Sequence, residues 1–287
     1  MIRLAAGLQS LALNYSVMTE TPSGNKVAAG ARCRCRGRLT VIMRIEPRSA
    51  LTLAGVVAFC AYSIPSLRGP TETGGLGAPP REKLRGPVLS EVEDRLKRVR
   101  TTSSGVPCLE FLRASYAIVT IFDAIPGMGM VKGDMLGNVD KIWRHQQVGA
   151  ALSLQAMCDS EIDALGGDAD VARKRDGSVC NSLLWLKRAL RLVEGILLEL
   201  TRHKLKSMKE CCNAAYATSL KKHHNMVLRS AFGVAVNAAP SRTAVLETLN
   251  PRVGEAPTLA TISKLLPRYT SMLNTVEAYL TERKIER

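Results

Sequence analysis

Residues 131–143 read VKGDMLGNVDKIW. As a helix this stretch has one unusual face: Asp134, Asn138 and Lys141 recur at spacings of four and three and so stack on one side. A carboxylate, an amide and an ammonium in a row form a ladder of acceptors and donors, suited to a ligand with several hydroxyls or an amide. Gly137 inside the helix costs about 1 kcal/mol against alanine, which points to close backbone approach by a ligand or a packing neighbour. For these residues taken alone, a solvated polar face is the plainer alternative.

Outward from this stretch the chain reads as helix after helix. Pro126-Gly-Met-Gly breaks the chain just before it, and Pro107 opens an apolar run to about Ile125 that must be largely buried. Further upstream, Ser90-x-x-Glu93 reads as a capping box for a short helix with Val92, Leu96 and Val99 on one face. Downstream, helices are expected over about 146–165 and over 182–202, where Trp185, Ala189, Leu192, Ile196 and Leu200 form one stripe. Others follow over 209–229, 231–239 (stopped by Pro240), 242–249 and 258–283. No stretch of this region shows a period of two, so the domain is all-α.

The first third differs. Residues 1–87 hold 12 Lys/Arg against 4 Asp/Glu, so about half of the net charge of +15 falls in the first third of the chain. Such a basic surface favours an anionic membrane or a nucleic acid. Aromatic residues make up only 4%, too few for stacking platforms, and no nucleic-acid motif is present, so a membrane surface rich in anionic lipids is the expected partner and nucleic acid is not. Residues 1–68 read as a basic extension whose apolar segment at 50–64 lies within the uncharged run Ser49–Leu67. As a helix, those 19 residues would span about 28 Å. An organelle presequence, a short anchor with a cytoplasmic N-terminus and an extension from an upstream start codon all fit. The stretch 69–87, with five Gly and four Pro, is a linker, and the folded domain is expected over 88–287. Eight cysteines show neither metal-ligand spacing nor a disulfide framework and read as reduced thiols.

Three segments in order carry a resemblance: Asp134-x-x-Gly137-Asn138-x-x-Lys141, LLWLKRAL at 183–190, and AYATSLKKHH at 215–224 followed by AFGVAVNAAPSR at 231–242. Together they resemble the glycolipid transfer protein superfamily over about residues 88–287. The resemblance implies a two-layer sandwich of about eight helices enclosing an apolar slot for one sphingolipid, which is carried between membranes without covalent chemistry. It implies that Asp134 and Asn138 bond the headgroup sugar, that Asp134 also reaches the ceramide amide, and that Lys141 donates to sugar hydroxyls. Trp185 would stack on the sugar ring and His224 would donate to the amide carbonyl. Members that choose a phosphate headgroup typically carry arginines at the places of Asn181 and Trp185, so the expected ligand is a glycosphingolipid. Lys187 and Arg188 are candidates for phosphate or membrane contact. Where the glycolipid branch has Gly-Trp after the histidine, this chain has Asn225-Met226.

The remaining chemistry is sparse. Asp134 with His224 could form an acid–base pair, but no nucleophile motif, phosphate loop or second carboxylate accompanies it, so an enzyme is not expected. On a continuous helix His223 and His224 would point about 100° apart, which excludes them as a metal pair. His145 and His203 read as surface residues. No cofactor is called for, and the expected location is cytoplasmic and peripheral at membranes. Two other readings stay open: ceramide 1-phosphate transfer or lipid sensing on the same fold, and a membrane-anchored tether or adaptor regulated by lipid.

Overall fold

The computed structural model describes residues 32–34, 40–42, 86–146 and 153–287. The apolar segment at 50–64, nearly all of the 69–87 linker and residues 147–152 of the helix expected over 146–165 lie outside the described residues. The chain divides into two compact units, Met1–Leu67 and Arg68–Arg287. In the first, β1 (Arg32–Arg34) and β2 (Thr40–Ile42) pair antiparallel, with Cys33 opposite Val41.

The described residues of the second unit form ten α-helices, where about eight were expected; the shortest of them has six residues. Proline opens the first two. Pro87 stands at the N-cap of α1 (Val88–Arg98), so the helix starts three residues earlier than the Ser90 capping box implies. Its fixed φ suits a helix entrance, and Ser90 falls within the first turn rather than at the cap. Pro107 does the same for α2 (Cys108–Val119), which runs on into a 3-10 turn at Thr120–Ala124. The break before residue 131 is real. Gly127 adopts φ +94°, and a Cβ there would lie 2.7 Å from the Ala235 carbonyl oxygen, so glycine is required on both counts.

Then come α3 (Gly129–Gln146), α4 (Leu154–Ala164), α5 (Ala169–Lys174) and α6 (Val179–Arg202). Ser153, Asp168 and Ser178 cap the last three by accepting from backbone N–H groups one turn on. Among the described residues a capping box forms at Ser207–Glu210, opening α7 (Met208–Thr218). The expected helix over 209–229 is broken. Ser219 leaves helical geometry, Lys221–His223 form a 3-10 turn, and Asn225 caps a new helix, α8 (Met226–Asn237). The chain continues through α9 (Arg242–Leu249), capped by Ser241, and α10 (Glu255–Glu282).

The core centres on α6, which packs against α3, α7 and α10, while α1 and α2 close around α3 and α10. Leu183, Leu190, Leu192, Val193, Leu197 and Leu200 are fully buried. Cys108, Cys158, Cys180, Cys211 and Cys212 are free thiols packed as small apolar residues. Burial pushes the Cys108 and Cys212 thiols up to about 12. No described helix is long and apolar enough to cross a membrane.

Two helical glycines behave in opposite ways. A Cβ on Gly195 would lie 2.9 Å from the Ala215 Cβ and 3.2 Å from its Cα, so α6 and α7 meet backbone to backbone there. A Cβ on Gly137 meets nothing within 4 Å among the described residues, so no packing neighbour accounts for that glycine. Gly195→Ala should lower the thermal midpoint, overpacking by about 1–3 kcal/mol against a propensity gain of about 1 kcal/mol. Gly137→Ala should raise it by up to about 1 kcal/mol. Thermal unfolding of both variants followed by circular dichroism checks the pair of signs.

Candidate functional site

The ladder on α3 forms as its spacing predicts. Asn138 is buried, and its Nδ2 donates to the Asp134 carbonyl oxygen at 3.0 Å and to the Asp134 carboxylate at 3.3 Å. The amide orients the carboxylate and retains its own oxygen as an acceptor. Asp134 opens to solvent on one side, yet protein atoms crowd it closely enough that desolvation raises its carboxyl, with Lys141 pulling in the other direction. Lys141 reaches away to the loop before α6, where its Nζ donates to Asp176 Oδ1 at 2.7 Å. One turn on, the His145 ring lies 3.1 Å from the Gly177 carbonyl oxygen. These two contacts join the end of α3 to the start of α6, so the two helices run antiparallel.

Trp185 is half-buried at the edge of the core rather than inside it. The Arg188 guanidinium stands 5.1 Å from its ring centroid, a cation–π contact. His224 lies 6.3 Å from the indole at 29°, and His223 lies 6.4 Å away edge-on. The 3-10 turn and the extended backbone of His224 allow both rings to face Trp185, which the continuous helix expected over 209–229 would forbid. Behind them, the Tyr216 hydroxyl sits 2.9 Å from His224 Nδ1, and Tyr216 itself stacks on Phe232 at 3.8 Å. Desolvation lowers the His224 pKa, with Arg229 adding to it. Desolvation, then the Arg188 charge, takes His223 down to about 4.

The model of the glycolipid transfer protein family matches residues 106–251, half of the chain, and so spans the Asp134 ladder, Trp185 and His224. The chain belongs to the glycolipid transfer protein family. Its described second unit is the all-α, two-layer helical fold of that family. Pleckstrin homology domain-containing family A member 8 of Rattus norvegicus is 33% identical over 156 residues, covering 53% of this chain but only 29% of the rat protein. A glycolipid transfer protein of Aureobasidium melanogenum is 28% identical over 155 residues, covering 52% of this chain and 73% of its own. Among solved structures, FAPP2, described as selecting simple glycosphingolipids with this fold, superposes with a TM-score of 0.61 at 24% identity. That match covers 70% of this chain and 98% of the other. The apo form of mouse ceramide-1-phosphate transfer protein superposes with a TM-score of 0.63 at 21% identity, covering 70% and 98%.

Within this member of the glycolipid transfer protein family, several functional neighbours escape a sequence reading. Tyr216 behind His224, Asp176 on Lys141, and Glu277 and Glu286 on Lys187 and Arg188 are all long-range or loop contacts with no periodic signal. Lys187 is only 3% exposed and donates to Glu286 at 2.6 Å and Glu277 at 3.0 Å, so it faces carboxylates rather than solvent. Asn181 is tied into the backbone, its amide donating to the Arg173 carbonyl oxygen at the end of α5.

The histidine pair gives the site a pH signature. Between pH 6.5 and about 4 the unfolded chain binds a proton that the folded His223 refuses, so acidification through that window lowers stability. His224 acts in the same sense, and the raised Asp134 carboxyl acts in the opposite one. Calorimetry across this range should show a falling thermal midpoint, and His223→Gln should flatten the slope.

Proposed function

We propose that this protein binds one sphingolipid with an uncharged sugar headgroup and moves it between membranes by extraction and delivery, without covalent chemistry. The observation that carries this reading is the set around Trp185: an indole plate at the edge of the core, flanked by His224 and Arg188, on a helix packed against the one that carries the hydrogen-bonded Asp134–Asn138 pair. A hexose has an apolar C–H face for the indole and a hydroxyl rim for the carboxylate and amide, and the carboxylate bonds are the strong ones. Lys141 is available to join them. Its partner Asp176 is 90% exposed, and an ion pair of that kind is worth about 0–1 kcal/mol, so sugar hydroxyls can take the ammonium at small cost. In the tautomer where the Tyr216 hydroxyl donates to Nδ1, neutral His224 would carry its proton on Nε2, free for the ceramide carbonyl. The acyl and sphingoid chains would part the Leu, Val, Ile and Met side chains that line the space between the layers.

Delivery needs a face that enters the bilayer interface. The start of α8 supplies an apolar one: Met226 is 85% exposed, and Val227 and Val234 are exposed with it. Lys221, Lys222 and Arg229 ring it with exposed cations that would attract anionic lipid. Met226→Ser with Val227→Ser should slow transfer several-fold from anionic vesicles while leaving lipid affinity in detergent unchanged.

The test is vesicle-to-vesicle transfer by the full chain with galactosylceramide, ceramide 1-phosphate and phosphatidylcholine. Galactosylceramide should move in preference to the other two, and Trp185→Ala should weaken its binding by about 1–3 kcal/mol, a stacking contact's worth. Equal affinity in that variant would remove the sugar-platform role. A second reading, a membrane-anchored tether regulated by lipid, has one observation in its favour: the matching stretch forms 29% of a longer relative named for a pleckstrin homology domain. Resistance to alkaline carbonate extraction together with no lipid transfer would favour it.

A further inference from the structure

Arg188 stands beside the Trp185 plate, and it shares one carboxylate with its sequence neighbour Lys187. Glu286 uses both carboxylate oxygens: Oε1 accepts from Arg188 Nη2 at 2.8 Å and Oε2 from Lys187 Nζ at 2.6 Å. Lys187 and Arg188 are buried and the Glu286 side chain is 13% exposed, so this is a largely desolvated ion triad and not a surface pair. The same Arg188 guanidinium lies over the indole, and Arg188, Glu286 and Lys187 are all close enough to His223 to affect its titration. The carboxylate therefore lies in the wall of the proposed headgroup site.

The chain is built to bring Glu286 there. Helix α10 stops at Glu282, and Lys284 turns the backbone with φ +58°. The N–H groups of Ile285 and Glu286 both donate to the Leu280 carbonyl oxygen, at 2.8 and 2.9 Å, and Ile285 is fully buried. A left-handed non-glycine residue held by an apolar anchor and two hydrogen bonds fixes the tail in one conformation. Burial opposes ionisation of Glu286, but the bonds from Arg188 and Lys187 outweigh it and hold the carboxyl below its usual value.

A guanidinium and an ammonium sharing one carboxylate form the donor set that a phosphomonoester would use. We infer that Glu286 is a specificity-determining residue: it occupies the Arg188–Lys187 donor set and so turns away a phosphorylated headgroup, leaving the indole for an uncharged one. This rests on the neutral-headgroup reading above. An incoming phosphate would have to displace a carboxylate held by two buried cations or sit beside it with like charge, and either is unfavourable. Selection here works by rejection as well as by fit.

The test compares the wild-type full chain with Glu286→Gln for transfer of galactosylceramide and ceramide 1-phosphate between vesicles. The ratio of ceramide 1-phosphate to galactosylceramide transfer should rise roughly tenfold or more in Glu286→Gln, and adding Arg188→Gln should abolish the rise. Glu277→Gln, which removes a Lys187 partner but leaves the Arg188–Glu286 pair, should raise it far less. A folded Glu286→Gln variant with an unchanged ratio overturns the inference, as does an equal rise in Glu277→Gln. Should Glu286→Gln fail to fold, Glu286→Asp withdraws the charge by one methylene and should raise the ratio in part; no rise would again overturn it. A wild-type chain that carries ceramide 1-phosphate as readily as galactosylceramide overturns the neutral-headgroup reading itself. A selective wild type with an unresponsive Glu286→Gln overturns only the role given to Glu286.

Discussion

A helix surrounded by protein cannot carry charge without partners, and α6 is such a helix. Sixteen of its 24 residues are buried, among them Lys187, Arg188 and Glu194. Leaving one charge of a buried pair without its partner costs about 3–5 kcal/mol, so every element that supplies a counter-charge is held in place. Helix α10 supplies Glu277 to Lys187 and Arg191, and Thr270 to Glu194; the turn after it supplies Glu286. Tyr269, also on α10, donates its buried hydroxyl to the Leu190 carbonyl oxygen at 2.7 Å. The long contact between α6 and α10 is thus set in register by polar groups embedded in an apolar seam. Hydrophobic burial alone would allow the two helices to slide.

The same constraint shapes the proposed site. Because α6 is fixed from behind, the side chains at its edge, Trp185 above all, are held against a stable backbone. Helix α3 brings its ladder alongside through an antiparallel contact that the Lys141–Asp176 and His145–Gly177 bonds close at one end. The loop between α7 and α8 completes the set by folding out of helical geometry, which allows two successive histidines to face one indole. Three separate parts of the chain thus converge, each for its own local reason.

Much of this was legible in the sequence, and the parts that were not share a cause. The Asp134–Asn138–Lys141 face, the α6 stripe and the bounds of α9 follow from periodicity and capping, which act over a few residues. The break between α7 and α8 did not follow, because Ser219 and Asn225 suit a helix interior poorly but do not forbid it, and the Ser and Asn side-chain bonds that end one helix and start the next depend on tertiary packing. Gly137 has no packing neighbour among the described residues, and the close approach between helices is at Gly195, where nothing in the sequence marks Ala215 as its neighbour. Glu286 and Arg188 lie 98 residues apart, and no local pattern pairs residues at that separation.

The two kinds of ion pair around the proposed mouth also differ in how long they last. Asp176 stands almost wholly in water, so its bond to Lys141 breaks and re-forms with ordinary side-chain motion, on the picosecond to nanosecond scale. In the Glu286 triad both cations are buried and the carboxylate sits on a hydrogen-bonded turn, so its separation is tied to the opening of that turn, in the far slower regime of local unfolding. One wall of the mouth therefore rearranges many times during a single encounter with a membrane while the other stands still, and an arriving headgroup would meet a surface that adapts on the α3 side and is set on the α6 side.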